Sequence, residues 1–540
     1  MGHEKATDLC GLKPDIVVTK EKGNIMACIN RYLKTTFRAL ALGGSIVITG
    51  AAAASELTVA RAVDADSLDP HKASTTQSLQ VTSAIFDTLL TMGADGSIHP
   101  GLASAWEVSQ DGLTYTFTIR DGIKCHDGTT FDAAAAKASF DRALDPTTLN
   151  PNVSAWGPIK STEANGNHVV VKLSERYGPF TSFLTSIQAG FICPASVADK
   201  EFKPIGTGPF KLESWVRNDR IVLTANDAYV NQNPLVENPG RPYIDKVTLK
   251  VIPEAVARMA ALRAGEVDIV EPSLEEAADL KQDSAYKVYS ADLSGQQVLA
   301  AFTWRIPPLD NPEIRKAIGM AMNKQAYADI AFEGLVSTAN CTVAPNLFGI
   351  DQGLCAKWGV HYDPEAAKAI MAKAGYTPEH PLKVDLLVHK LPGWDQMHQI
   401  MQQDLAAIGV EADIQTREVA AFFDFMTQTN LKTDIKPAVW TMGMSGVDPD
   451  YMYFLWKRPG FVNMGINEQL DQILTEQRAL TGEARAKKIQ EGDRYLLENA
   501  YAVPLLSPGW NWLMASSAKI EGFKLGWMVS LIFNDVRVSD

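Results

Sequence analysis

The residues most suggestive of catalysis are His126 and Asp127, an imidazole beside a carboxylate in the run Lys124-Cys125-His126-Asp127-Gly128. Such a pair performs acid–base chemistry only if the carboxylate can reach the ring. Neighbouring residues at a strand end point to opposite faces, and Asp127-Gly128 is a turn signal, so the pair is expected to be structural. The chain has no G-x-S-x-G nucleophile elbow, no G-x-x-x-x-G-K-[ST] phosphate loop and no dinucleotide fingerprint, and an enzyme is not expected. The nine histidines are scattered, and neither C-x-x-C nor H-E-x-x-H occurs. Direct metal ligation is therefore disfavoured, and no cofactor is expected.

Binding chemistry is better represented. Aromatic walls supply buried area in a ligand cleft and a few charges fix orientation. The segment Val439-Trp440-Thr441-Met442-Gly443-Met444-Ser445-Gly446-Val447-Asp448-Pro449-Asp450-Tyr451 offers an indole and two carboxylates. His389, Lys390 and Trp394 form a second group, Trp304 with Arg305 a third, and Trp510 stands alone. A stacked aromatic with a cation, as in Trp304-Arg305, suits a planar, sugar or carboxylate group. Each has a plainer alternative: a core side chain for Trp440, a turn residue before proline for Asp448, a solvent-facing side chain for Lys390.

The elements that must position these residues alternate between strands and helices. Between the turns Asp111-Gly112 and Asp121-Gly122, Leu113, Tyr115, Phe117 and Ile119 alternate with Thr114, Thr116, Thr118 and Arg120, a half-buried strand. Residues 76–92 read as a helix, and residues 55–302 are otherwise strand-rich. Asn311-Pro312 and Asp363-Pro364 are caps followed by proline at the first helical position. Leu382 to Val388 reads as a strand, Gln396 to Ile408 as a helix and 467–500 as helical. The second part is thus an α/β lobe.

Several runs, in order, resemble one known family. Residues 102–133 are similar to its L-A-x-x-W…D-G-x-x-Y-x-F-x-[IL]-R-x-G-[IV]-K-[WF]-H-D-G signature, with Cys125 where an aromatic is usual. Phe86-Asp87-Thr88-Leu89 resembles Y-[ED]-x-L, Gly206-Thr207-Gly208-Pro209-Phe210 resembles G-T-G-P-[YF], and residues 258–269 resemble R-x-x-A-L-x-x-G-E-[IV]-D. The chain is thereby identified as resembling the dipeptide/oligopeptide-type (family 5) extracellular solute-binding proteins of ABC importers.

That resemblance implies an α/β, two-lobed periplasmic binding protein fold with a hinge and an extra subdomain. Lobe I would be 55–302 with 505–540, its subdomain about 97–200, and lobe II 303–504. The crossings would lie near Phe302–Ile306 and Ala502–Ser507. It also implies a monomer that captures a small organic solute between its lobes and delivers it to ABC permease and ATPase subunits. Trp440 falls on the family's cleft tryptophan. Peptide-binding members place an aspartate three residues later to pair with the α-ammonium; here that position is Gly443, and Asp448 is the candidate substitute. Lys390 or His389 would meet an anion where some members have arginine. The lost aspartate favours a peptide-like, non-standard solute: an opine, an amino-acid–sugar conjugate or a modified peptide. An oligosaccharide, a metal chelate and a periplasmic hydrolase are the alternatives.

The ends and the charge agree with export. Arg31, Lys34 and Arg38 precede an apolar run over 39–50 and an A-x-A site at Ala52–Ala54, a signal peptide with Met26 as the expected start. Without residues 1–54, 43 basic residues face 59 acidic ones, a net charge of −16. Such a chain is a poor ligand for nucleic acid. Cys125, Cys193, Cys341 and Cys355 remain, with three possible pairings, and in an oxidising compartment Cys341–Cys355 is the expected disulfide across a loop rich in Pro and Gly.

Overall fold

The computed structural model describes residues 55–418, 421–422, 436–457, 467–507 and 512–539; the expected signal peptide and Met26 lie outside them. The alternating run becomes the strand Thr114–Ile119, with Tyr115, Phe117 and Ile119 buried and the threonines half-buried. It lies inside a four-stranded antiparallel sheet between Ala103–Val108 and His168–Leu173, with Ile159–Asn165 at the far edge. The helix Ala133–Leu144 covers this sheet, and its N-cap Asp132 accepts from the Ala135 amide. Phe117, Phe140, Trp156, Phe180 and Phe191 fill a core of their own, pinned by a Cys125–Cys193 disulfide.

Two larger sheets carry the lobes. The first runs Tyr286–Ser290, Leu513–Ser517, Ile269–Val270, Glu56–Arg61, Lys246–Val251, Arg220–Ala225 and Phe210–Val216 in spatial order. The second runs Ser337–Thr338, Ala502–Ser507, Gln297–Phe302, Ala438–Met444, Leu382–His389 and Val410–Arg417. Both expected crossings are therefore displaced: Gln297–Phe302 and Ala502–Ser507 are strands of the second sheet, not links into it. Val298-Leu299-Ala300-Ala301-Phe302 shows no alternation because it is buried on both faces, as a central strand must be. The chain leaves the first sheet at Ser290 and enters the second at Gln297; it ends a strand of the second sheet at Ser507 and begins one of the first at Leu513. The Ser507 hydroxyl donates to the Gln296 carbonyl at 3.0 Å and ties the end of one strand to the segment that leads into its neighbour.

The helix expected over 76–92 stops at Ile85, and Leu90–Met92 is a strand paired with Ile98–Pro100. The Gly-Thr-Gly-Pro run explains the stop. The Gly208 amide takes the Ile85 carbonyl at 3.0 Å, and a Cβ on Gly206 would stand 2.1 Å from that oxygen. Only glycine permits this approach, so the motif terminates the helix and leaves Asp87 beyond its end. The 467–500 segment likewise divides into Glu468–Arg478 and Gly482–Glu498. Asn311 and Asp363 cap their helices as expected.

Candidate functional site

The central strand Ala438–Met444 of the second sheet carries Trp440, which is fully buried. Its ring centre lies 5.9 Å from that of Trp456, which lies 5.6 Å from Trp304; Trp304 in turn packs at 4.7 Å on Tyr501. Met92 and Trp527 of the first lobe pack into the same cluster. The indole N–H groups of Trp304, Trp440 and Trp456 are buried without a hydrogen-bond partner. Buried donors are ordinarily satisfied, and three unsatisfied ones in a single buried cluster spanning both lobes depart from that rule.

The acids of the second lobe are already occupied. Asp448 is buried and held by both terminal nitrogens of Arg485. Burial pushes its carboxyl up, but the Arg485 guanidinium overrides this and holds it below the usual range. Asp450 accepts from Arg478 Nε at 2.9 Å and Nη2 at 2.9 Å; there burial wins and the carboxyl stays raised. Asp448 is thus already engaged by a bidentate guanidinium, one nitrogen to each oxygen.

These pairs also meet the first lobe. Arg478 Nη2 donates to the Tyr177 hydroxyl at 3.2 Å, and the Gly178 amide donates to the Arg478 carbonyl at 2.6 Å. A Cβ on Gly178 would stand 2.3 Å from the Leu480 carbonyl oxygen, so the lobes touch here through bare backbone. Beside this contact lies a cavity of about 460 Å³ walled by Trp106, Tyr115 and Ser182 of the first lobe and by Phe348, Thr481 and Arg485 of the second. The volume suits a small organic molecule.

The other expected residues are dispersed. His389 is buried against Trp394 at 4.4 Å and Phe422 at 4.9 Å, and burial pulls its imidazole down to about 4. Trp394 opens the helix Trp394–Ala407 and belongs to the core of the second lobe, not to a cleft wall. Behind Trp440, the Thr441 hydroxyl and His398 Nε2 lie 2.6 Å apart. Lys390 is exposed in a shallow groove with Asp395, Gln399 and Glu418. Gly443 is half-buried opposite Val298. Arg305 is half-buried beside Trp304, and Trp510 lies outside the described residues. Cys341 is bonded to Cys355.

His126 is fixed as a turn residue. Its amide donates to the Gly206 carbonyl, its Nε2 meets the Gly208 carbonyl at 3.0 Å, and burial pulls its ring down to about 4. Asp127 accepts from the Thr129 amide and hydroxyl instead of the ring. Sequence reasoning missed Arg485, Arg478, Tyr177 and Trp456. Arg485 lies 37 residues from the acid it neutralises, a separation that carries no local signal.

Two α/β lobes crossed twice by the chain, with an aromatic cluster and a cavity between them, define a two-lobed binding protein fold. The chain belongs to the bacterial extracellular solute-binding proteins, family 5, whose middle region matches residues 97–462. The glutathione-binding protein GsiB of Salmonella paratyphi A is 31% identical over 382 residues, 70% of this chain and 72% of its own. Among solved structures, NikA from Brucella suis in complex with Fe(III)-EDTA superimposes with a TM-score of 0.76 at 23% identity, over 89% of this chain and 99% of that one. MoaA from A. tumefaciens in complex with mannopinic acid gives 0.69 at 23% identity, over 90% of this chain and 100% of that one. Among the described residues, no helix is long and apolar enough to cross a membrane.

Proposed function

We propose that this protein is a periplasmic receptor for a peptide-like solute, which it encloses between its lobes and hands to the permease and ATPase subunits of an ABC importer. The observation that carries the reading is the interlobe cavity of about 460 Å³, with rings and hydroxyls from both sides. A solute bridging the lobes favours the closed state by its differential affinity for that state. Gly443 and the occupied Asp448 and Asp450 speak for a solute whose amine is not read from the second lobe. A modified peptide, an opine or an amino-acid–sugar conjugate fits, and the glutathione-binding relatives put glutathione first among compounds to test. No catalytic role is assigned, because His126 and Asp127 are both engaged in a turn.

The test is thermal unfolding of the protein after unfolding and refolding to strip bound solute. The panel is glutathione, dipeptides, opines, oligosaccharides and metal chelates. A ligand at about 100 times its Kd adds ~2.7 kcal/mol, a clear rise in Tm. A rise with glutathione or an opine supports the reading. A rise only with oligosaccharides or chelates replaces the solute class, and turnover of any compound would make the protein an enzyme.

A further inference from the structure

The first lobe contains a pocket of about 100 Å³ beyond the helix Thr76–Ile85, lined in part by Asp87, Thr91, Tyr229, Gln232, Trp527 and Asn534. Asp87 is the one charged residue among those lining it. One carboxylate oxygen accepts from the Thr207 hydroxyl at 2.8 Å, while the other has only the Tyr229 hydroxyl at 3.5 Å. Among the described residues no cation is paired with it, and burial pushes the carboxyl up to about 6. Gln232 Oε1 has no partner there, and the amide of Asn534, almost wholly buried, donates to the Tyr229 hydroxyl, which uses one of the two N–H groups of Nδ2.

Asp87 is half-buried, and a carboxylate partly withdrawn from water without a cation is costly. Here two oxygen acceptors, one of them anionic, stand in the same pocket as one amide donor. That set matches an ammonium group followed by a carbonyl. The pocket is also in the right place: Met92, which lines it, lines the interlobe cavity as well, and Met92 and Trp527 pack in the cluster of Trp440 and Trp304. We propose that this pocket of the first lobe takes the amine end of the solute, with Asp87 as the carboxylate that pairs with the ammonium and Asn534 Nδ2 as donor to the adjacent carbonyl. The inference rests on the solute-receptor reading and reverses the side of the cleft from which the amine is recognised. It gives Asp87 a role beyond the Thr207 contact that joins the helix end to the Gly-Thr-Gly-Pro run.

The test uses each compound that raises Tm in the panel above, titrated calorimetrically beside its N-acetylated form, against the wild type, Asp87→Asn and Asn534→Leu. Asp87→Asn is isosteric and keeps an acceptor for Thr207, and Asn534→Leu leaves the charge in place. Loss of a charge-assisted hydrogen bond predicts about a 10–100-fold weaker affinity for Asp87→Asn and for N-acetylation alike. The two losses should not add, because they remove one interaction from its two ends. Tight binding of N-acetylated solute, unchanged affinity in a folded Asp87→Asn protein, or additive losses would overturn the inference while leaving the receptor reading intact. If no compound binds, the receptor reading fails by itself. Ethylammonium chloride then probes the pocket directly: it should raise the Tm of the wild type above that in equal sodium chloride, and not that of Asp87→Asn. Equal shifts in the two proteins would overturn the inference.

Discussion

The two sides of the cleft treat their carboxylates in opposite ways. On the second lobe, Asp448 and Asp450 are matched by Arg485 and Arg478, and the paired charges lock together loops that also touch Tyr177 and Gly178. On the first lobe, Asp87 meets, among the described residues, hydroxyls alone. The same side-chain type therefore holds the architecture together on one side and stands available on the other. Burial alone does not distinguish them; what does is the presence of a guanidinium within reach.

The comparison breaks most readily on the second lobe. Arg485→Ala leaves Asp448 buried and unpaired, a loss of about 3–5 kcal/mol, to be read from urea unfolding; a loss under 1 kcal/mol would mean that the pair is not structural. Asp448 has a depressed carboxyl, so its contribution is present above the ordinary carboxylate range and is lost as pH falls through its lowered value. The wild type should accordingly lose more stability than Arg485→Ala on acidification below that range.

The disulfides contrast the lobes next. Cys125–Cys193 spans 68 residues and Cys341–Cys355 spans 14. On the chain-entropy account, removing the first costs about 4 kcal/mol and the second about 3 kcal/mol. Paired Cys→Ser variants measured in urea should keep that order, and an inverted order would show that packing in the two cores outweighs loop closure.

Asp87→Asn should act with the opposite sign to Arg485→Ala, stabilising the solute-free protein at neutral pH. The sign follows from its raised carboxyl. A group bound more tightly to its proton in the native state gains stability as pH falls through about 6 towards the ordinary value. Between pH 7 and pH 5 this offsets part of the destabilisation from His126 and His389, which burial keeps neutral and pulls down to about 4, so the wild type should lose less stability over that range than Asp87→Asn. Asp493, also pushed up to about 6 by burial although the Thr342 amide and hydroxyl bind it, contributes in the same direction. Asp87→Asn should lose its own share of that offset and keep the share from Asp493. Lys390→Ala lies at the small end: an exposed side chain outside the cavity, it should change stability by less than about 0.5 kcal/mol and leave solute affinity unaltered.

Much of the architecture was legible in the sequence because it is written in local chemistry. Turn residues bounded the strand Thr114–Ile119, and Asn311 and Asp363 announced their helices. The limits were also physical. The end of the helix Thr76–Ile85 depends on Gly206 and Gly208, more than a hundred residues away, so its own periodicity ran on too far. An all-apolar run such as Val298–Phe302 fits the end of one lobe or the middle of the next, and only pairing with Ala438–Met444 assigns it. Trp440 and Trp304 were legible as large aromatics, but Trp456, which joins them, had no distinguishing context. Asp448 was visible as an acid and illegible as a neutralised one, since Arg485 sits on a later helix. Asp87 was visible only as part of the Phe86-Asp87-Thr88-Leu89 run that resembles the family; which groups surround it is a property of space, not of sequence.

The central claim is that the lobes close over a solute through contacts such as Gly178 against Leu480. Small-angle X-ray scattering of the solute-stripped protein, with and without the panel compound that raises Tm most, tests it directly. The account predicts a smaller radius of gyration with the compound for the wild type, and none of that contraction for Gly178→Val, whose side chain would prop the lobes apart. An unchanged radius in the wild type with the compound bound, or full contraction in the variant, would contradict it.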